Sequence, residues 1–80
     1  MDIVKVFARN LKKYRKQKGL SQKSFAEISG LHRTYISAVE REKRSIALEN
    51  VQKIADALEI DVYLLFIDSA SSDGRDWNEP

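Results

Sequence analysis

The sequence predicts a compact all-α domain of five helices. Apolar residues recur with helical spacing over residues 3–18 and again over 48–58. Between these segments, residues 22–41 have the pattern of two short helices joined by a tight turn. We therefore expect one domain over residues 1–67, followed by a disordered acidic tail over 68–80.

Helix 1 is predicted over residues 3–18, and Gly19 ends it. Its apolar stripe consists of Ile3, Phe7, Leu11 and Tyr14. Its opposite face carries five cations: Lys5, Arg9, Lys12, Lys13 and Lys16. We interpret this cationic face as a solvated surface that assists the binding of a polyanion without specific contacts.

Helices 2 and 3 are predicted over residues 22–29 and about 33–41. Ser21 is a good N-cap because its hydroxyl can accept from a free amide of the first turn. Gly30 can adopt the positive φ that the end of helix 2 needs. The apolar positions of the two helices are Phe25, Ala26, Ile28, Leu31, Ile36 and Val39.

The outer face of helix 3 is small and polar at its centre and cationic or aromatic at its edges. A helical wheel turns Ile36, Val39 and Glu40 inward. The outward positions are Thr34, Ser37, Ala38 and Arg41, with Arg33 and Tyr35 on the flanks. Small residues let a helix sit deep in a groove, and Arg, Thr and Ser carry donors that base edges and phosphates accept. The alternative is a two-helix turn in an ordinary helical bundle.

This stretch resembles the helix-turn-helix of lambda-repressor-like, XRE-type DNA-binding proteins. The matching positions are Phe25, Ala26, Gly30, Leu31, Ile36 and Val39. Ser29 stands where the family prefers an apolar residue, so we expect slightly looser packing there. Residues 15–22 resemble the end of the family's first helix and residues 47–61 its fourth, so the resemblance covers about residues 5–67. It implies the lambda-repressor-like fold and DNA binding. Residues 31–46 also resemble, more narrowly, the controller proteins of restriction–modification systems.

In the resembled family, an arginine at the place of Arg15 pairs with a glutamate at the place of Glu40. The helical wheel independently turns Glu40 toward the interior, where a carboxylate needs a partner. We therefore expect a structural ion pair that fixes how helix 1 holds helix 3.

Helix 4 is predicted over residues 48–58. Its inward residues are Leu48, Val51, Ile54, Ala55 and Leu58. Ala47 falls where the family places a capping Ser or Thr, so the helix should start with a weaker cap. Glu59 replaces the usual C-terminal glycine, at a modest cost in strain.

Residues 62–67, Val-Tyr-Leu-Leu-Phe-Ile, are apolar all round, and Asp61 can cap a short helix 5 there. A small domain cannot bury every side of such a helix. One face should complete the core, and the other should form a homodimer interface. The candidates are Tyr63, Leu64, Phe66 and Ile67, and the pattern does not decide which of them face inward.

The partner implied is double-stranded DNA. The expected base contacts in the major groove are Arg33, Thr34, Tyr35 and Ser37. The expected phosphate contacts are Gln22, Arg41, Lys43 and Arg44. His32, the single histidine, should have a cap-like or phosphate-facing role, because no second imidazole or thiol can complete a metal site.

Composition narrows the function classes. There is no cysteine, no glycine-rich phosphate loop, no signal-peptide pattern and no apolar run that could span a bilayer. We therefore expect no metal, cofactor, small-molecule effector or membrane partner, no enzymatic activity, and a cytoplasmic location. Residues 1–67 carry 13 Lys/Arg against 8 Asp/Glu, whereas residues 68–80 carry one Arg against 4 acids. A basic domain of this kind suits a polyanion.

The preferred function is a dimeric, sequence-specific transcription regulator on a near-palindromic operator. The controller type is favoured because no effector-binding or protease-like module accompanies the domain. A phage-type repressor or the antitoxin of a toxin–antitoxin pair shares the same domain. From a different class, a helical adaptor could bind another protein through helix 5.

Overall fold

The computed structural model describes residues 1–68, which form four α-helices and one 3₁₀ helix. The α-helices are α1 (Ile3–Gln17), α2 (Gln22–Ser29), α3 (Arg33–Glu40) and α4 (Leu48–Leu58), and the 3₁₀ helix is Val62–Phe66. α2 and α4 have the predicted bounds, whereas α1 and α3 each end one residue early. Apart from Asp68, the predicted tail lies outside the described residues.

The expectation of a fifth α-helix is wrong. Residues 62–66 wind as a 3₁₀ helix, and the Asp61 side chain makes no cap hydrogen bond to it within the described residues. The side-chain amide of Asn10 donates to the carbonyls of Leu65 and Ile67, both at 2.9 Å. These carbonyls therefore have hydrogen-bond donors without a further α-helical turn.

Side chains cap three of the four α-helices within residues 1–68. Asp2, Ser21 and His32 accept hydrogen bonds from first-turn amides at 3.0 to 3.2 Å. Ser21 was predicted in this role, and Asp2 was not. Ala47 provides no side-chain cap for α4, as the sequence indicated.

Positive φ angles occur where helices end. Gly30 closes α2 at φ 79°, and Glu59 closes α4 at φ 60°. Glu42, just after α3, has φ 62° although it is not glycine. Both glutamates pair with lysines: Glu42 with Lys5 of α1 at 3.5 Å, and Glu59 with Lys18, which directly follows α1, at 3.1 Å.

Every helix contributes to one core. The largest fully buried side chains are Leu11, Phe25, Ile36, Val39, Ile54, Leu58 and Leu65. Three residues predicted to face inward are instead exposed: Ile3 is 56%, Ile28 57% and Leu48 83% exposed. Ile3 and Leu48 are the first residues of α1 and α4, at the rim of the core. In α2, the position buried instead of Ile28 is Ser29.

The hydroxyl of Ser29 is hydrogen-bonded within the turn that follows α2. It donates to the carbonyl of Ala26 and accepts from the amide of Leu31, both at 3.3 Å. The buried hydroxyl is therefore satisfied, and it ties the end of α2 to the turn that follows.

α1 packs against α3, α4 and the 3₁₀ helix, and α4 packs against α1, α2 and the 3₁₀ helix. Within residues 1–68, no helix has the length and hydropathy needed to cross a bilayer.

Candidate nucleic-acid interface

A shallow groove lies between the start of α2 and the outer face of α3. The residues that line it were all predicted to contact DNA: Gln22, Arg33, Thr34, Ser37 and Arg41. Arg33, Ser37 and Arg41 follow one another at intervals of four residues, about one helical turn, which places them on one side of α3, and Thr34 lies beside Arg33. Arg33, Thr34 and Arg41 are exposed, and the other two are half-buried.

The two arginines of this groove have no acidic partner. Within residues 1–68, neither Arg33 nor Arg41 forms an ion pair, whereas Lys5, Arg9 and Lys18 each do. Arg41 Nε makes only a long hydrogen bond to the carbonyl of its own helix, at 3.4 Å. Both guanidinium groups therefore keep donors for an external acceptor, such as a phosphate or a guanine edge.

Below the groove, Arg15 and Glu40 form a bidentate ion pair. Arg15 Nε and Nη2 donate to the two carboxylate oxygens at 2.7 and 2.9 Å. The Arg15 and Glu40 side chains are 8% and 2% exposed. Arg15 Nη1 also donates to the carbonyl of Leu20 at 2.7 Å. The pair holds the end of α3 against α1, which is the arrangement that the sequence predicted.

Gln22 joins this ion pair. Its Nε2 donates to Glu40 Oε1 at 3.0 Å, so part of the side-chain amide is used inside the protein. The phosphate contact assigned to Gln22 therefore rests on its backbone amide. That amide lies in the first turn of α2, where amides have no intrahelical partner.

His32 caps α3, which is one of the two roles expected for it. Its Nδ1 accepts from the Thr34 amide at 3.2 Å and lies 2.8 Å from the Thr34 hydroxyl oxygen. The cap fixes the first turn of α3, from which Arg33 and Thr34 project.

Tyr35 is not among the residues that line the groove. Its hydroxyl accepts from the amide of Ala47 at 3.3 Å and from Asn50 Nδ2 at 3.1 Å. The guanidinium of Arg44 lies 5.0 Å from the centre of its ring. Two predicted DNA contacts, Tyr35 and Arg44, thus form a separate cluster that ties α3 to the start of α4. The hydroxyl hydrogen of Tyr35 remains able to donate.

The loop after α3 starts with a fixed geometry. The amide of Glu42 donates to Val39 at 3.0 Å, and the amide of Lys43 donates to Ala38 at 2.9 Å. This is the Schellman arrangement of a helix end. It fixes the backbone at Lys43, an exposed residue two positions after the groove residue Arg41.

The 3₁₀ helix divides the four predicted dimer residues. Tyr63 is 64% exposed, whereas Leu64 and Ile67 are half-buried. Phe66 packs against Phe7 of its own core, with ring centres 5.4 Å apart. Tyr63 is therefore the most exposed of the four residues, and Phe66 packs against the core.

Comparison with known proteins identifies the family to which this domain belongs. The helix-turn-helix family model (HTH_3) matches residues 11–65. The chain belongs to the helix-turn-helix family. It is 48% identical over 62 residues to the control protein C.SmaI of Serratia marcescens, a match that covers 78% of this chain and 74% of that protein.

Solved structures of controller proteins share the fold of this helix-turn-helix protein. The controller C.AhdI of Aeromonas hydrophila superposes with a TM-score of 0.76 at 43% identity, covering 79% of this chain and 96% of the other. The C.Esp1396I tetramer in complex with its natural 35 base-pair operator superposes with a TM-score of 0.75 at 32% identity, covering 82% and 87%. The chain is a DNA-binding regulator close to the restriction–modification controllers.

Three residues of this helix-turn-helix domain escaped the sequence analysis. Asn10 holds the 3₁₀ helix, Asn50 bonds to the hydroxyl of Tyr35, and Val62 is an exposed apolar residue next to Tyr63 in the chain. For Asn10 the sequence indicated only a position near the core, next to Leu11, and not the carbonyls that it binds. For Asn50 no charge or periodicity pointed to the contact.

Proposed function

We propose that this protein is a controller-type transcription regulator that binds a near-palindromic operator as a homodimer, with α3 in the major groove. The supporting observation is the groove of α2 and α3. There, two arginines that form no ion pair within residues 1–68 flank the small side chains of Thr34 and Ser37. A protein of this kind works on DNA in the cytoplasm and catalyses no reaction.

Each groove residue has a proposed role. Arg33 donates bidentately to a guanine, and Thr34 and Ser37 contact neighbouring base edges. Arg41 and Lys43 contact phosphates at one end of the groove, and the start of α2 does so at the other.

The homodimer is proposed from the 3₁₀ helix. Val62 and Tyr63 are exposed apolar residues side by side, at 37% and 64% exposure. A two-fold contact through this face would present two copies of α3 to half-sites about 34–36 Å apart. The relative C.Esp1396I was solved as a tetramer on its operator, which supports assembly on DNA.

The test compares Arg33→Ala with Lys43→Ala. The operator would first be located by footprinting the protein on the DNA upstream of its own gene. Arg33→Ala should weaken operator binding by about 1–3 kcal/mol and relax the preference at one base pair. Lys43→Ala should weaken operator and random DNA alike and reduce the salt slope by about one. An equal loss on operator and random duplex for Arg33→Ala would refute base reading by that residue.

A further inference from the structure

α1 carries a continuous cationic stripe that the DNA groove does not use. At 100° per residue, five side chains fall within about 60° of the direction of Arg9. The members of this α1 stripe are Lys5, Arg9, Lys12, Lys13 and Lys16. All five are exposed, and α1 contains no acidic residue to offset them.

Only one end of the α1 stripe is neutralised within residues 1–68. Lys5 pairs with Glu42 at 3.5 Å, and Arg9 pairs with Asp68 at 3.5 Å. Beyond Arg9, Lys12 and Lys16 form no ion pair within the described residues. Neighbouring cations without ion-pair partners in the described residues favour the binding of an anionic group.

The chain itself delivers such an occupant. Asp68 is already placed on the α1 stripe by Arg9, and residues 69–80 follow with Asp73, Asp76 and Glu79 against a single arginine. From Arg9 to Lys16 the helix rises about 10 Å. The five residues from Asp68 to Asp73 can span up to about 17 Å, so the first of these acids can reach any cation of the stripe's open end.

We infer that the α1 stripe is a docking site for residues 69–80 of the same chain. Asp68 anchors the segment at Arg9, and the acids of the segment neutralise Lys12, Lys13 and Lys16. The segment thereby covers a cationic surface that would otherwise attract polyanions without regard to sequence. This inference is independent of the proposed function, and its test uses no DNA.

Trp77 provides an internal probe, because it is the single tryptophan of the chain and lies between Asp76 and Glu79. The measurement is the anisotropy of Trp77 fluorescence in the full chain at low salt. In the variant Lys12→Gln/Lys13→Gln/Lys16→Gln, the anisotropy should fall to that of a free 69–80 peptide. The reciprocal variant Asp73→Asn/Asp76→Asn/Glu79→Gln should give the same loss. Raising NaCl from about 0.1 to about 1 M should lower the anisotropy of the unmodified chain in the same way, since the Debye length falls from about 10 to about 3 Å.

A matched control carries three Lys→Gln changes away from α1, at the exposed positions Lys23, Lys43 and Lys53. It alters the net charge equally and should leave the anisotropy unchanged, with circular dichroism verifying that all variants remain folded. Equal anisotropy in the stripe variant and the unmodified chain would overturn the inference. A second result would also overturn it. If adding a chain with an intact stripe and Trp77→Phe restored the anisotropy of the stripe variant, the segment of one copy would dock on another copy.

Discussion

Two polar side chains of α1 hold two different parts of the domain. Arg15, a cation, binds the carboxylate of Glu40 and so fixes α3, which carries the candidate DNA contacts. Asn10, uncharged and five residues earlier, binds two backbone carbonyls and so fixes the 3₁₀ helix, which carries the candidate dimer contacts. One helix thus positions the candidate DNA-binding surface and the proposed pairing surface through separate contacts.

The difference between the two contacts is one of chemistry and of consequence. A buried ion pair that loses one partner leaves an uncompensated charge, whereas an amide that is lost leaves two carbonyls without donors. The Arg15 contact should therefore have the larger effect on stability. If α3 and the 3₁₀ helix are held independently, breaking the Arg15 contact should impair DNA binding more than self-association. Breaking the Asn10 contact should do the reverse.

The largest effect is expected from Glu40→Gln. The change keeps the shape of the side chain but leaves the guanidinium of Arg15, with its side chain 8% exposed, without a carboxylate. Thermal or urea unfolding should show a loss of about 3–5 kcal/mol. Binding to a single half-site should weaken as well, because Arg15 and Gln22 lose the carboxylate of Glu40 through which they both hold α3.

The matched control is Glu59→Gln, which makes the same substitution in the ion pair that Glu59 forms with Lys18, the residue after α1. The Glu59 side chain is 77% exposed, so its pair should contribute at most about 1 kcal/mol. A Glu40→Gln variant that melts at the same temperature as Glu59→Gln would refute the structural role of the Arg15 pair.

The next effect is expected from Asn10→Ala. Two carbonyls lose their donor, which should cost about 1–3 kcal/mol in unfolding. The 3₁₀ helix should loosen, so self-association should weaken while half-site affinity per folded molecule is retained. Sedimentation and half-site titration of the same sample separate the two. Loss of half-site affinity without loss of association would contradict the assignment of Asn10 to the pairing region.

These two contacts also show what the sequence could predict. The Arg15–Glu40 pair was accessible because a carboxylate on the inward side of a helix calls for a cation, and the family resemblance indicated which one. The Asn10 contact was not, because its acceptors are backbone carbonyls, which every residue possesses. The α-helix bounds, to within one residue, and the groove residues of α3 were predictable from helical periodicity. Tyr35 did not, because its hydroxyl bonds to the backbone of Ala47.

A smaller effect is expected from Tyr63→Asp in the pairing region. The exposed position should tolerate the charge with little change in folding, while a proposed apolar contact across a two-fold axis should weaken tenfold or more, about 1.4 kcal/mol. Phe66→Asp provides the contrast, because its ring packs on Phe7 and the change should unfold the domain. Unchanged sedimentation of Tyr63→Asp at micromolar concentration would place the dimer contact elsewhere.

The smallest effects are expected where α3 and α4 end. Glu42 and Glu59 both adopt φ near 60°, a conformation that costs a side chain with a Cβ about 1–2 kcal/mol. Glycine removes this strain but adds backbone entropy of about 0.5–1 kcal/mol to the unfolded chain, so either Glu→Gly change should stabilise by about 0.5–1 kcal/mol at most. The exposed pairs with Lys5 and Lys18 contribute at most about 1 kcal/mol each, so their loss offsets part of that gain. The two variants should differ in function, because Glu42 begins the loop that positions Lys43, whereas Glu59 leads toward the 3₁₀ helix. Glu42→Gly should therefore alter DNA affinity, and Glu59→Gly should leave it unchanged while raising the melting temperature slightly. Equal changes in DNA affinity for both variants would mean that the two regions are coupled through α1 rather than held by it independently.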